Sequence, residues 1–284
     1  MIELDRRKNH RWILQKNVSS KDIIKAYMDA LNNIRTKIDY KNIQSTLKKD
    51  NIYKGRSNNG SLSTMGVRFS QMCFYMFGYK EKNIFVPSPM TINMLDNESE
   101  ISKEKNALIN LFSMQFPHPY SETHDFHIYF GRLIVKLLLE IRLDKKLYID
   151  EMIWFLPFIP SIDEALYEKL VDSIIEYRKK SYHEKLNLFH SIKDYDDIFS
   201  NVTHEINYYF LRIFKGFGVF DIVGDAAHND GHLFLFHHGN SNTIRTDSFE
   251  SRKKISGFVK LTNEVIESAD KLNSNFSAFD KPTT

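Results

Sequence analysis

The side chains best suited to metal chemistry cluster near the end of the chain. Four histidines lie within eleven residues, interleaved with Asn and Asp: His228, His232, His237 and His238, with Asn229, Asp230 and Asn240. Imidazole and carboxylate groups ligate divalent cations, and ββα metal nucleases place His and Asn beside such a hairpin. The helix that such a centre needs is displaced here. We therefore favour a polar turn with histidines available for phosphate contact, and keep an endonuclease centred on His228–Asn240 as the alternative.

The commonest restriction-type nuclease centre needs an Asp and a second carboxylate that hold Mg²⁺, followed two positions on by a Lys. No Glu of this sequence is followed two residues later by Lys. Asp39-Tyr40-Lys41 and Asp144-Lys145-Lys146 have the spacing, but we expect helical or turn contexts for both rather than paired strands. Phosphate-binding loops, dinucleotide fingerprints and serine-hydrolase elbows are also missing from the sequence. We predict no catalytic residue, metal site or cofactor for this chain.

Positive charge is concentrated at the start of the chain. The net charge is only +3 over 284 residues, yet residues 1–60 hold 14 Lys/Arg against 6 Asp/Glu, and the remainder holds 25 against 30. A modest total can therefore hide a one-sided basic face suited to nucleic acid. The single cysteine, Cys73, excludes an intramolecular disulfide, and its apolar neighbours predict a core position. With no signal peptide or membrane-length apolar run, we expect a soluble cytoplasmic protein.

The first part of the chain shows the order helix, helix, polar loop, helix and strand. We predict helices over 22–35 and 40–49, a basic loop at 54–61, a helix from Ser63 or Thr64 to Phe77 that Gly78 ends, and a strand over 83–87. Inward positions of the third helix follow helical spacing: Met65, Phe69, Met72, Cys73 and Met76. Arg68, Gln71 and Tyr75 are expected to point elsewhere. This order is typical of a helix-turn-helix with a wing.

A similar order recurs near the other end. Asn201 or Thr203 is predicted to cap a helix over 205–215 that Gly216 and Gly218 end. Its expected inward residues are Ile206, Tyr209, Phe210 and Ile213, and its outward ones Asn207, Arg212 and Lys215. Strands over 219–223 and 233–236 then predict a hairpin wing, followed by a helix over about 249–272.

Apolar helices are predicted between these two patterns. They cover residues 127–142 and 150–156, and a third helix is predicted to begin at the capping box Ser161–Glu164 and to continue to Phe189. The loop at 115–125, with two prolines, is the best candidate boundary. We predict a mainly α fold of two helical lobes, 1–122 and 123–284, each with a winged-helix-like unit of helix-turn-helix and short β-hairpin.

Two sets of polar side chains accompany these units. Arg, Asn and Gln read guanine and adenine edges in the major groove, while Lys, Ser and Thr suit phosphates. The first set is Lys54, Arg56, Asn58, Asn59, Ser63, Thr64, Arg68, Gln71, Lys80 and Lys82, and the second set is His204, Asn207, Arg212, Lys215, Asn242 and Arg245. Because both sets lie on a helix-then-wing pattern, double-stranded DNA is the expected partner.

Several segments, taken in order, carry a family resemblance. They are the helix from Ser63-Thr64 to Phe77-Gly78-Tyr79 with Thr91–Leu95 after it, Leu111–Pro117, Tyr148–Met152, Val171–Arg178, and Tyr208–Arg212 with Gly218-Val219-Phe220. Together they span about residues 50–260 and resemble the N-terminal recognition region of the AlwI family of type IIS restriction and nicking endonucleases. The resemblance implies a helical module of several lobes that binds a short asymmetric duplex site.

In that family the nuclease is a separate C-terminal PD-(D/E)xK domain that cuts outside the site. We expect that domain to be absent from this chain, with Mg²⁺ needed only by an associated nuclease domain or subunit, and no membrane partner. Two alternatives stay open: the endonuclease centred on His228–Asn240, and a winged-helix regulator or adaptor. The latter would use the acidic helices of residues 151–200, which hold 6 Lys/Arg against 10 Asp/Glu, for protein contact.

Overall fold

Helices and short antiparallel strands alternate along the chain. The computed structural model describes residues 1–15, 38–39, 70–81, 84–96, 98–121, 123–223, 235–236, 244–245 and 257–282. The strands are β1 (Ile38–Asp39), β2 (Gly78–Glu81), β3 (Ile84–Pro87), β4 (Leu147–Tyr148), β5 (Phe220–Val223), β6 (Leu235–Phe236), β7 (Ile244–Arg245) and β8 (Phe258–Leu261). Residues 70–74 are also helical. The α-helices are α1 (Pro89–Leu95), α2 (Lys103–Ser113), α3 (Phe130–Leu139), α4 (Ile149–Phe155), α5 (Glu164–Lys179), α6 (Tyr182–His190), α7 (Tyr195–Thr203), α8 (Arg212–Gly216) and α9 (Asn263–Asn275).

The first sheet has the strand order β1-β3-β2, and both pairings are antiparallel. The helix before it ends at residue 74 rather than at Phe77, because Met76 has a left-handed backbone (φ 63°) that turns the chain into β2. Gly78 therefore begins a strand instead of ending a helix. A Cβ at Gly78 would lie 2.3 Å from the Val86 carbonyl oxygen, so this close strand approach needs glycine.

The second sheet has the order β4-β8-β5, again antiparallel. The predicted hairpin between strands 219–223 and 233–236 is therefore wrong, because β5 pairs with β8 and β6 pairs with β7. The predicted last helix is also wrong at residues 258–261, which form β8, and α9 begins at Asn263. The local alternation of apolar and polar residues identified the strands. It could not identify a pairing partner that is distant in sequence, because that pairing depends on the core that both strands share.

Several helix boundaries differ from those predicted. Asp163, rather than Ser161, caps α5 by accepting a hydrogen bond from the Leu166 amide. The helix does not continue to Phe189, because Ser181 forms its own capping box with Glu184 and opens α6. Predicted helix 127–142 forms only over α3, followed by a 3₁₀ turn (Ile141–Leu143).

One apolar core runs through the proposed boundary at 122/123. Its buried members come from both sides, including Phe74, Phe116, Phe130 and Phe210. Phe116 forms an antiparallel bridge with Ile128 across the loop that was predicted to separate the lobes, and its ring stacks on Phe130 at 4.9 Å. The two-lobe division stays a prediction, but the packing shows that any such lobes share a core. Cys73 is buried in this core as predicted.

No helix in the described part of the chain is long and apolar enough to cross a membrane.

Candidate nucleic-acid interface

The first unit, which we define as β1 together with residues 70–87, brings the predicted Lys80 next to the end of a helix. Lys80 is half-buried on β2, and its ammonium donates a hydrogen bond to the Ser70 hydroxyl. Its backbone N–H donates to the Tyr120 hydroxyl at 3.1 Å. These contacts fix β2 against the helix and against the loop at 118–123. The unit is therefore a helix end and a three-stranded sheet held in one arrangement.

Gln71 does not occupy the surface position expected for a base-reading residue. Its side chain is only 2% exposed and Tyr75, one turn later, is fully buried. Both residues were expected to point away from the core, so that expectation is wrong, and Gln71 is not carried over into the interface. The other predicted residues of the first set lie outside the described residues: Lys54, Arg56, Asn58, Asn59, Ser63, Thr64, Arg68 and Lys82. The predicted helices 22–35 and 40–49 also lie outside them.

The loop at 118–123 packs against the helix of the first unit through His118. His118 is buried, its ring meets Phe74 edge-on at 5.0 Å, and its Nδ1 accepts a hydrogen bond from the Tyr120 amide at 3.1 Å. Burial lowers the pKa of His118 to about 4, so the ring is neutral at physiological pH. Burial likewise raises the pKa of the Cys73 thiol to about 11. The raised pKa keeps the Cys73 thiol protonated at physiological pH, so it is a poor nucleophile.

The second unit, which we define as residues 195–223 with β8, is built on one unbroken helical segment. α7 passes into a π-helix (His204–Leu211) and then into α8. Asn201 and Thr203 lie inside this segment and do not cap it, so the predicted start at residue 205 is wrong. The segment ends as predicted at Gly216, where Gly218 has a φ of 76°.

The predicted DNA-contact residues of the second set differ in exposure. Arg212 and Lys215, three positions apart on α8, are exposed as predicted, and this spacing places them on one helical face. Asn207 is only 1% exposed, so it does not present a base-reading amide at the surface. His204 is half-buried at the start of the π-helix. Arg245 lies in β7, and Asn242 lies outside the described residues.

The π-helix explains the misplacement of Asn207. Hydrogen bonds from i to i+5 turn the chain less per residue than those of an α-helix. Glu205, Ile206, Asn207, Phe210 and Leu211 are all buried in consequence, a wider inward face than a regular helix would give. Only α8, where normal geometry resumes, presents the outward residues that the sequence pattern predicted.

The four basic side chains nearest the N-terminus each contact an aromatic ring or a carboxylate. Arg6 stacks on the Trp154 ring with its Cζ 3.9 Å from the ring centroid, and burial lowers its pKa to about 10. Arg7 pairs with Asp5 at 2.5 Å, and Lys8 pairs with Asp197. Arg11 forms a buried pair with Glu205. Arg6, Lys8 and Arg11 therefore attach the N-terminal segment to the rest of the protein, whereas Arg7 pairs with its near neighbour Asp5 and stays 79% exposed.

The segment at residues 11–15 was missed by sequence reasoning, and it lies between the two units. The Arg11 guanidinium donates to both carboxylate oxygens of Glu205, at 2.6 and 3.0 Å. The Gln15 carbonyl accepts a hydrogen bond from the Tyr75 hydroxyl at 3.0 Å. Glu205 lies in the π-helix of the second unit, and Tyr75 directly follows the helix of the first. Buried Arg and Glu distant in sequence leave no local pattern by which the pairing could be found.

The described residues hold no group of three or more His, Cys, Asp or Glu that could bind a metal ion. The histidine cluster at His228–His238 lies outside the described residues. Asp39 lies in β1, paired with β3, which corrects the helical or turn context expected for Asp39-Tyr40-Lys41. Asp144 lies in a turn as predicted, with left-handed backbone at Asp144 and Lys145.

Comparison with known proteins gives a family. Residues 5–276 match the sequence model of the N-terminal domain of the type II restriction endonuclease HgaI. The chain belongs to this family. It is 30% identical over 285 residues to the type II restriction enzyme HgaI of Avibacterium volantium, covering 95% of this chain and 56% of that enzyme. The chain thus spans about half the length of the relative it matches.

The fold has a solved counterpart. The binding domain of the BpuJ1 endonuclease, crystallised with pyrene- and phenanthrene-modified DNA, matches 99% of this chain and 89% of that chain with a TM-score of 0.53. The sequences are only 14% identical, so this likeness concerns the mainly helical fold alone. Membership of the HgaI family confirms the expected relation to the N-terminal region of a type II restriction enzyme.

Proposed function

We propose that this chain recognises a specific double-stranded DNA sequence as the DNA-binding part of a type II restriction endonuclease. The observation that carries the proposal is the match of residues 5–276 to the N-terminal domain of the restriction enzyme HgaI. The fold shared with an endonuclease binding domain that was crystallised on DNA supports it. Cleavage is assigned to the part of such an enzyme that lies beyond this match.

The two units are proposed as winged-helix-like DNA-binding units. In the first unit a helix precedes an antiparallel β2–β3 hairpin, and β1 joins the hairpin through β3. In the second unit a helix that exposes Arg212 and Lys215 leads directly into β5. In the first unit the helix can lie in the major groove with the hairpin along the backbone, while the second unit contributes its helix without a hairpin, because β5 pairs with β8. The residues that read bases are proposed among the outward positions of these helices.

The finer assignments remain our proposals. They are the type IIS mode of cutting outside the site, the AlwI-like relation, cytoplasmic localisation, and a Mg²⁺ requirement confined to an associated nuclease domain or subunit. The DNA-contact residues that we keep are those predicted from the sequence, without Gln71 and Asn207, whose side chains are buried.

Selection from a random duplex library tests the proposal. At low salt and without Mg²⁺, the purified chain is expected to enrich a single short asymmetric sequence, and gel shifts are expected to show site-selective binding. Failure to enrich any duplex would refute the proposal. Binding of a protein partner with no DNA affinity would favour the adaptor alternative, and Mg²⁺-dependent nicking by this chain would favour the endonuclease alternative.

A lysine pair makes the interface assignment testable. Lys215→Ala removes a cation from exposed α8, and Lys169→Ala removes one from the exposed side of α5, outside both units. If Lys215 neutralises a phosphate, its loss reduces the magnitude of the negative slope of log K against log salt by about 0.9, because one counterion fewer is released. The Lys169 variant is expected to keep the wild-type slope. Equal slopes for all three proteins would exclude a phosphate contact at Lys215.

A further inference from the structure

Residues 11–15, which we name the clasp, join the two units. At one end the Arg11 guanidinium donates to both oxygens of Glu205, and the Leu14 amide donates to Glu205 Oε2 at 3.1 Å. At the other end the Gln15 backbone carbonyl accepts from the Tyr75 hydroxyl at 3.0 Å, and the Gln15 side-chain Nε2 donates to the Tyr120 carbonyl at 2.7 Å. Five residues thus connect the helix end of the first unit to the helical segment of the second.

The clasp is held in place by further bonds to the protein interior. The Trp12 backbone amide donates to the Pro157 carbonyl at 2.6 Å, and the Trp12 indole donates to the Ile159 carbonyl at 2.9 Å. The Ile13 amide donates to the Thr123 hydroxyl at 2.9 Å. Because the backbone of the clasp is fixed on both sides, Arg11 reaches Glu205 from a preset position.

The Arg11–Glu205 pair is a directional contact between the clasp and the second unit. Its side chains are only 9% and 2% exposed, and a bidentate guanidinium–carboxylate pair fixes the angle between its two groups as well as their distance. A direct apolar contact between the units, with the Phe77 and Phe217 rings 5.4 Å apart, holds them together without specifying a single orientation, because hydrophobic burial is non-directional.

We propose that the clasp sets the spacing of the two reading units on the duplex, with Arg11 and Glu205 as positioning residues. Neither side chain is accessible enough to contact DNA itself. The clasp would act by fixing the helix that carries Arg212 and Lys215 relative to the first unit. This inference rests on the proposed function, since it concerns two contact sets on one DNA site.

A matched pair of variants separates spacing from stability. Arg11→Met with Glu205→Gln removes the clasp pair without leaving a buried unpaired charge, which would be strongly destabilising. The control is Arg178→Met with Glu151→Gln. That pair is also bidentate, at 2.7 and 3.0 Å, with side chains 16% and 0% exposed, but it joins α5 to α4, and both of its residues lie outside the two units. Thermal unfolding of both proteins measures the stability that each substitution costs.

The readout is tolerance of an inserted base pair. A site is first selected from a random duplex library with the wild-type chain, and footprinting locates its two contacted segments. One base pair is then inserted between them, which moves the segments apart by ~3.4 Å and rotates one by ~34°. The wild type and the control are expected to lose about 100-fold in affinity, comparable to losing one or two base contacts. The clasp variant is expected to lose less than about 10-fold.

Each outcome decides. If the folded clasp variant keeps the wild-type penalty, or if the footprint shows a single contacted segment, the inference is overturned. If the clasp variant does not fold, Arg11→Lys replaces it, because lysine keeps the charge and loses the bidentate geometry. This variant is expected to lose an intermediate amount of affinity for the site with the inserted base pair. A loss as large as that of the wild type overturns the inference. If the wild type enriches no duplex, the proposed function fails instead.

Discussion

The crossing of α2 and α3 depends on Gly131, and Gly131→Ala is expected to destabilise the protein strongly. A Cβ at this position would lie 1.9 Å from the Leu111 carbonyl oxygen and 2.8 Å from the carbonyl carbon. Since real Cβ contacts stay beyond about 3 Å, the two helices must separate by about 1 Å. The obstructing atoms belong to a helix backbone and cannot rotate away. The cost is therefore expected at the upper end of that for overpacking, about 3 kcal/mol.

Urea unfolding and calorimetry measure this cost. For a protein of this size, about 3 kcal/mol corresponds to a lower Tm by roughly 6 to 10 °C. The control is Gly216→Ala, the same chemical change at the last residue of α8, where no atom lies within 4 Å of the added Cβ. That variant is expected to be neutral or more stable by up to about 1 kcal/mol, because alanine favours a helix over glycine. A free energy of unfolding for Gly131→Ala within about 0.5 kcal/mol of wild type would refute the reasoning.

Two predictions concern acid stability. The pKa of buried His118 lies at about 4, below the value near 6.5 of an unfolded chain. The free energy of unfolding is therefore expected to decrease by at most about 3 kcal/mol as the pH falls from about 6.5 to 4. His118→Gln should remove this pH dependence from unfolding midpoints measured against pH. Hydrogen bonds from Arg142 lower the pKa of Glu140 to about 2, so its contribution is complete above about pH 4.5 and is lost as the pH falls toward 2. Because Arg142 is 41% exposed, Glu140→Gln is expected to remove only about 1 kcal/mol of this acid-sensitive stability, and a wild-type profile between pH 4.5 and 2 would contradict the assignment.

Apolar helices in the core were the most predictable elements. α3 and α4 lie where their apolar residues placed them, with ends within a few residues of those predicted, because a helix satisfies its own backbone hydrogen bonds and is stabilised by burial of its apolar side chains. Helix ends were less predictable. Several neighbouring residues are able to cap a helix, and in the structure Asp163 and Ser181 are the ones that do so.

Strand partners were not predictable in the same way. The alternation at residues 219–223 identified β5, yet its partner β8 lies about 40 residues further on, within a segment that has helical spacing. An isolated strand leaves its backbone groups unpaired, so its partner is whichever strand the shared core brings alongside. No pattern within β5 carries that information.

The candidate site divides along the same line. Arg212 and Lys215 lie on a regular helix and are exposed as their spacing predicted. Gln71 and Asn207 were misplaced, the first beside a helix end turned early by Met76 and the second in a π-helix. Both irregularities depend on packing against the rest of the molecule rather than on the residues themselves.

The sequence alone determined the mainly helical composition, the core position of Cys73, and the helix-then-strand order of the two units, because these follow from spacing along a single segment. The tertiary structure alone decided how the N-terminal cations are used. Arg6, Arg7, Lys8 and Arg11 look from the sequence like a basic face, yet they stack on Trp154 or pair with carboxylates, two of them distant in the chain. The sequence gives the net charge of a segment, but only the fold decides which carboxylates and rings lie next to each cation. The electrostatic energy of a charge depends on the groups within a few ångströms of it.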